Sequence, residues 1–532
     1  MKTGSILFVS VFGMIWVQAA QAATFTVNSG DDWTTIENAQ AGDIVEIAPG
    51  TYDFRVHLDN AGTANNPIII RAQDPSQRPV WDLVGDEDHL VSDAPGSYSA
   101  GDLGRGCWQV GADGAYYEIS GIVFRNCRDS ASAGLRAVNS GPVTLRDCLF
   151  ENNTNGLTGA STDLVVEHCE FRNNGKVFEG GNMTHNIYIY GGQFTMRYCY
   201  NHDSHEGQLF HVRAANTRIE YNWLARPSGY VGDIMSCEYL CDGTEQYMTL
   251  MGNVIIQGTP QNQSQIIALY DDEETGVTEM NISLFYNTII GTQRNPGQTH
   301  TLLNLRNDSI DTHATLYNNI IYNVGQVATV ADSGLSNWSV TGAVNWLGNG
   351  TENMGLSEVI SGDAPGFVDE AALNFTLVEA AAARNEANAS LCEAPLREYY
   401  LNESTINAYR ERSSAADLGA FEFGTNGAGI DAYGATPLPT LPEDTDSVAV
   451  DTATGTVEDT ESASTDSGTI DMDTMEGSTD SADDSDSLAA VDDTESNEDN
   501  DTGTAAGEGC GCRSIGQWSA GSIFRLLEAL GF

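Results

Sequence analysis

The sequence predicts an all-β fold made of stacked β-coils, and three observations carry that prediction. Short strand-like segments recur along the chain with apolar residues at alternate positions. One position of each segment holds the same kind of residue over several repeats. Helical periodicity is almost lacking. Aligning "YEISGIVFRNC", "VTLRDCLFENN", "LVVEHCEFRNN", "FTMRYCYNHDS", "TRIEYNWLARP", "MTLMGNVIIQG", "ISLFYNTIIGT" and "ATLYNNIIYNV" brings Ile122, Cys148, Cys169, Cys199, Asn222, Asn253, Asn287 and Asn319 into one column. The spacing of about 21 to about 34 residues describes a coil with variable loops, the signature of a solenoid. Like side chains stack at a solenoid turn, and asparagine amides hydrogen-bond from coil to coil. Cys148, Cys169 and Cys199 are accordingly expected as buried thiols in that stack.

Four regions follow one another. Residues 1–23 read as a secretory signal peptide: Lys2, an apolar run from Ile6 to Val17, then Ala20-Gln21-Ala22. The run is shorter than the roughly 20 residues of a membrane span. Residues 24–424 carry the coils. Residues 425–509 form a linker rich in Asp, Ser and Thr, with no Lys or Arg between Arg412 and Arg513, which cannot bury enough apolar surface to fold. Residues 510–532 regain hydrophobicity and include Cys510 and Cys512.

The chain of 532 residues carries a formal net charge of −52. That argues against nucleic acid or anionic lipid as a partner, because both call for a basic patch. Export permits disulfides among the ten cysteines. Cys237 can pair with Cys241 across a loop and Cys107 with Cys127, although spacing alone does not fix the connectivity. No CxxC pair or His/Cys spacing of a zinc site occurs, so no metal ligands are assigned.

Strand residues alternate between faces. Ahead of the Cys/Asn column, the outward positions read Arg146, Glu167, Arg197, Glu220, Met251, Phe285 and Tyr317. The alternating charges describe an exposed salt-bridge ladder. In the other main strand of each coil, taking Leu157, Ile187, Phe210, Ile234, Ile267 and Leu303 as inward leaves outward pairs. These are Thr158/Ala160, Tyr188/Tyr190, His211/Arg213, Met235/Cys237, Ala268/Tyr270 and Asn304/Arg306. On this face His211 and Arg213 project together into solvent. Aromatic faces bind sugar rings and arginine binds carboxylates, so the face suits an acidic polysaccharide. Tyr190, Tyr270, Asn304 and Arg306 are its expected substrate-binding residues. The bland alternatives are an exposed polar pair at His211 and Arg213, and a loop folded over Tyr188 and Tyr190.

Several segments resemble right-handed parallel β-helix proteins of the pectate, alginate and chondroitin lyase type. "AGDIVEIAPGTYDFRVHLDNAGTANNPIIIRAQ" (41–73) is similar to their first coil. "ALNFTLVEAAAARNEANAS" (372–390) and "ADLGAFEFG" (416–424) are similar to their closing segments. "HNIYIYGGQFTMRYCYNHDSHEGQLFHVRAANTRIEYNWLA" (185–225) resembles a group of secreted bacterial β-helix proteins, with Gln208 and His211-Val212 departing from a His and a Lys-Ser of that pattern. "GCGCR" after the acidic linker resembles a myxobacterial-type C-terminal sorting signal, in degenerate form. The resemblance implies a right-handed parallel β-helix, secreted or held at the outer cell surface, and a monomer is expected.

This architecture hosts lyases, hydrolases, epimerases and non-catalytic surface proteins. β-Elimination on a uronic acid would have Arg213 neutralise the carboxylate and His211 or Tyr188 take the C5 proton, with His185, His202 and His205 able to join. The resembling lyases often use Ca²⁺, and "YDDEETG" (270–276) could hold it, though it lacks an EF-hand pattern. Whether a cofactor is needed is otherwise open. The alternative function is a non-catalytic, adhesive surface protein. A glycoside hydrolase ranks last, because no paired-carboxylate motif of the pectin-hydrolase type is found.

Overall fold

The computed structural model describes residues 22–434, apart from 84–105, 129–131, 178–182, 242, 259–263, 272–274, 293–298, 307–308, 331–336 and 401–407. The expected leader up to residue 21, the linker beyond 434, Cys510 and Cys512, and the middle of the acidic run at 270–276 lie outside the described residues.

Each coil contributes three strands, and every strand pairs in parallel with its counterpart in the next coil. In one coil these are Asn216–Glu220, Trp223–Ala225 and Gly232–Ile234. They pair with Glu245–Met251, Val254–Ile256 and Gln265–Leu269 of the following coil. Repetition produces three parallel sheets, here called the ladder sheet, the short-strand sheet and the site sheet. Two long strands, Asn155–Glu167 and Ile187–Arg197, serve both the site sheet and the ladder sheet. They bend where the register shifts beside Gly159 and after Ile189. The protein is a right-handed parallel β-helix.

Alternating apolar residues fill the interior. Phe124, Phe150 and Phe171 stack at 4.9 and 4.7 Å between centroids down the short-strand sheet. Each is fully buried. Burying such a side chain stabilises by about 1.5–3 kcal/mol, and offset stacking adds to that.

The turn from the ladder sheet into the short-strand sheet carries the Cys/Asn column. The Cys148 and Cys169 N–H groups donate to the Sγ of Cys169 and Cys199, at 3.4 and 3.3 Å. Cys199 N–H donates to Asn222 Oδ1 at 2.9 Å. From there each asparagine Oδ1 accepts from the backbone N–H and the Nδ2 of the asparagine one coil earlier. The run goes from Asn222 through Asn253, Asn287 and Asn319 to Asn345. Each Nδ2 also donates to a carbonyl of the earlier coil, as Asn287 does to Leu250 O at 2.9 Å. The residue before each column position has positive φ: Asp147, His168, Tyr198, Tyr221, Gly252, Tyr286, Asn318 and Val344. That conformation is costly for a residue with a Cβ, most of all for Val344. The amide ladder offsets it. All three column cysteines are buried and free, and the disulfides among the described residues are Cys107–Cys127 and Cys237–Cys241.

The charged column also takes its expected register: Arg146, Glu167, Arg197, Glu220, Met251, Phe285 and Tyr317 are neighbours in sequence of coils. The ladder is exposed only at its arginines, contrary to expectation: Glu167 and Glu220 are buried beneath the arginines that flank them, and Glu167 pairs with Arg146 at 2.8 Å and with Arg197.

After the last coil the chain turns back along the outside. Two antiparallel hairpins form, Phe367–Asp369 with Asn374–Leu377 and Arg397–Tyr399 with Tyr409–Glu411. Gly419 N–H donates to Asn318 O at 2.9 Å, Leu396 N–H to Tyr221 Oη at 3.3 Å, and Tyr433 Oη to Asp147 Oδ2 at 2.6 Å. The strap thus covers the positive-φ residues over several coils. Its own interior holds the buried pairs Arg410–Glu398 and Arg412–Glu422.

Replacing Asn287 by Ala strips the Asn253 N–H and Nδ2 of a buried acceptor and is expected to cost about 2–4 kcal/mol. Arg71→Ala, which loses a surface ion pair with Glu46 at 2.7 Å, is expected to cost at most about 1 kcal/mol. Urea midpoints of the two variants check the contrast.

Candidate functional site

The site sheet presents one outward column from coil to coil. Arg136, Thr158, Tyr188, His211, Asp233, Ala268, Asn304 and Thr329 are successive register partners. Neighbours in such a column lie about 4.8 Å apart. His211 therefore stands between Tyr188 and Asp233.

His211 does not project into solvent. Only 3% of it is exposed, and only 4% of Arg213. Both lie on the outer face of the sheet, but other groups cover them. The His185 ring stacks on His211 at 5.1 Å and Tyr188 meets it edge-on at 4.6 Å. Asp233 Oδ2 lies 3.2 Å from His211 Nδ1. Among the described residues, buried His211 Nε2 and Asp233 Oδ1 have no hydrogen-bond partner. The pair is therefore a histidine oriented through one nitrogen with the other left available, the arrangement of a general base or acid.

Alignment on apolar residues misses Asp233. It places Ile234 beneath Phe210 and so puts Met235 beside His211. The structure pairs Phe210 with Gly232 and Val212 with Ile234, a slip of two residues. Gly232 lies against the Phe210 ring, where a Cβ would come within 2.1 Å of Cζ. A glycine at an inward position carries no apolar signal, so the true partner was the less visible one.

The flanking groups are held in defined states. Burial pushes the His185 pKa well below its ordinary value, and His211 pushes the same way, against a hydrogen bond from Gln208. His185 Nδ1 accepts from the Gln208 N–H at 3.1 Å, which places the ring proton on Nε2. Burial raises the Tyr188 pKa, opposed by Arg213 and reinforced by Glu238, so the hydroxyl keeps its proton. Tyr190 packs on Tyr188 at 5.7 Å and on Tyr239 at 5.5 Å, and both Tyr188 and Tyr190 are half-buried.

Arg213 Nε donates to Ser236 O at 3.0 Å, and Nη1 meets Glu238 Oε2 at 2.8 Å. Glu238 and Tyr239 belong to a loop closed by the Cys237–Cys241 disulfide. That loop joins the sheet at Gly191 and Gly192: Tyr239 N–H donates to Tyr190 O at 3.1 Å and Gly192 N–H to Tyr239 O at 3.0 Å. Gly191 permits this approach, because a Cβ there would fall 2.0 Å from Tyr239 O.

The remaining expected residues separate. Arg306 lies over the Tyr270 ring at 5.0 Å, and both are half-buried. Asn304 Oδ1 accepts from Thr329 Oγ1 at 3.1 Å. His202 is on the short-strand sheet, away from this column, between Asp203 at 2.6 Å and Glu170 at 3.3 Å. His205 is exposed in the turn that follows. Among the described residues no cluster of three or more His, Cys, Asp or Glu could hold a metal ion. Asp271 is committed to the N–H and Oγ of Ser309.

Residues 106–224 match the family described as "Right handed beta helix region". No curated protein sequence matches the chain. Solved structures similar to it include the pectate lyase Pel9A, at 15% identity and a TM-score of 0.45 over 76% of this chain and 97% of that one. A second is the PL6 family polysaccharide lyase Pedsa3628 from Pseudopedobacter saltans, at 12% identity and 0.37 over 68% and 98%. A third is the tailspike protein gp49 of the Acinetobacter baumannii bacteriophage Fri1, a capsular polysaccharide depolymerase, at 10% identity and 0.38 over 64% and 62%.

Two of the buried histidines, His185 and His202, carry opposite pH signatures. His185 has a lowered pKa, so below about pH 6.5 the unfolded chain binds a proton that the folded chain refuses, and stability falls with pH. At His202 burial opposes the charge, but Asp203 and Glu170 outweigh it and raise the pKa. Its stabilisation is full below about pH 6.5 and is lost as pH rises through the folded value. The destabilisation of His202→Asn should therefore be larger at pH 5.5 than at pH 8.5, while His185→Asn should flatten the acid-side decline. Thermal unfolding across that range checks both.

Proposed function

We propose that this protein acts outside the cell, secreted or displayed on its surface, and cleaves an acidic polysaccharide by β-elimination. The observation that carries the reading is the His211–Asp233 pair, with His211 Nε2 unpartnered among the described residues and enclosed by Tyr188 and His185. The leader-like N-terminus and the acidic linker support the location.

In this reading His211 Nε2 removes the C5 proton of a uronate, and Asp233 stabilises the imidazolium that forms. The C–H electron pair becomes the C4–C5 double bond and the C4–O4 bond breaks. Tyr188, kept protonated by its burial, donates to the leaving oxygen. His185 Nε2–H is a second donor. The proton on His211 later returns to the tyrosinate or to water. Tyr190, Tyr270 and Arg306, each half-buried, extend the face along the solenoid axis, where a chain of sugars would lie, whereas Asn304 is buried and held by Thr329. Arg213 would receive the uronate carboxylate in exchange for Glu238, which it holds at 2.8 Å.

The test is incubation of the purified protein with alginate, pectate, chondroitin and heparin-type chains, with and without Ca²⁺. Absorbance near 235 nm follows the unsaturated product. Product is expected from at least one chain, with a fall of about 10²–10⁴-fold in His211→Ala and a smaller fall in Asp233→Asn. Glycan binding without product would favour the adhesive surface protein instead.

A further inference from the structure

The arginine of the site is already occupied by a carboxylate from the protein's own chain. Arg213 is 4% exposed, and its Nη1 holds Glu238 Oε2 at 2.8 Å. Glu238 is the more accessible partner, its side chain 25% exposed. It reaches Arg213 from a short loop whose shape is set at three places. The Cys237–Cys241 disulfide closes it. Gln246 anchors its start, accepting from Cys237 N–H at 3.0 Å and donating to Met235 O at 2.8 Å. Tyr239 pairs its backbone across Gly191 and Gly192 and rests its ring on Tyr190. A carboxylate on arginine is the contact that a uronate would make.

We propose that Glu238 is an internal stand-in for the substrate carboxylate, a gating residue that releases Arg213 only to an anionic sugar. This rests on the reading of the site as one for acidic glycan. Two consequences follow from charge alone. With Glu238 in place, the buried guanidinium never sits unpaired, which would be strongly unfavourable. A neutral sugar offers no carboxylate to take over the pair, so it leaves the loop closed. An anionic sugar exchanges one carboxylate for another, and the loop with Tyr239 can then move off Tyr190 and open the face beside Tyr188. Glu238 thus acts through Arg213 and selects for charge, at the cost of some affinity, because the competent state is only part of the population.

The experiment uses the full chain with Glu238→Gln, the double variant Cys237→Ser/Cys241→Ser, and Glu238→Gln combined with Arg213→Gln. Titration calorimetry measures binding of oligomers of galacturonate, of mannuronate and of glucuronate, with neutral galactose and mannose oligomers of equal length beside them. Thermal unfolding verifies that each variant is folded. The expected result is affinity for at least one acidic oligomer raised on the order of tenfold in Glu238→Gln and in the serine double variant. Neutral oligomers should gain nothing, and the gain should vanish when Arg213 is also replaced. No gain on any acidic oligomer in either folded variant would overturn the proposal. So would an equal gain for neutral oligomers, which would make the loop a steric cover only. Product at 235 nm that is lost in His211→Ala but unaltered by Glu238→Gln would overturn the gate and leave β-elimination standing. The acid-selective gain without product from any glycan would do the reverse.

Discussion

The asparagine ladder at one turn of the solenoid is the constraint on which the rest of the structure depends. Parallel coils have no hairpin to set their register, and a strand that slips by one residue turns its core face outward. The ladder prevents that slip. Each amide satisfies the buried backbone N–H of the coil before it and reaches back to a carbonyl of that coil, so a slipped alignment would leave these buried groups unpaired. The positive-φ residue ahead of each ladder position makes the chain turn sharply into the short-strand sheet. Strain at that residue and satisfaction at the next are two halves of one device, and the C-terminal strap seals it from outside.

A second chain of amides runs inside the coils that carry the site. Asn174 Oδ1 accepts from Asn153 Nδ2 at 2.9 Å, Asn186 Oδ1 from Asn174 Nδ2 at 3.1 Å, and Asn201 Oδ1 from Asn186 Nδ2 at 2.8 Å. Asn186 follows His185 in sequence and leads into the strand that bears Tyr188. The backbone under the histidine and tyrosine is therefore tied into a rigid, fully buried network. A site on such a backbone can hold neighbouring groups at the coil spacing without loops of its own. Its chemistry then comes from which residues face outward in successive coils, and its accessibility from the loops laid across them.

Those loops give the site its electrostatic character. On the bare sheet Arg213 would be an exposed cation beside a histidine. Under the 237–241 loop it is half of an ion pair, and the histidine beside it is enclosed by aromatic rings and oriented by a carboxylate. The acidic balance of the whole chain makes that local pairing more telling, since an acidic surface repels acidic glycans unless a specific contact receives them.

Much of this is legible in the sequence, and the boundary has a physical cause. The Cys/Asn column from Cys148 to Asn319 and the outward column from Arg146 to Tyr317 can be read directly, because both lie beside strands with unbroken apolar alternation. Tyr188 beside His211 and Ala268 beside Asn304 can be read for the same reason. Asp233 cannot, because its coil has Gly232 at the inward position and the apolar pattern slides to Ile234. Glu238 cannot, because its contact with Arg213 runs from a loop, and no periodicity records where a loop lies. The burial of His211 and Arg213 belongs to the same class. Period-two patterning tells which face of a sheet a side chain leaves from, while what covers that face is decided by segments distant in sequence. The sequence by itself determined the solenoid, its register device and the face that carries the candidate site. Only the tertiary structure decided which groups meet there, because that depends on one glycine in the core and one disulfide-closed loop above it.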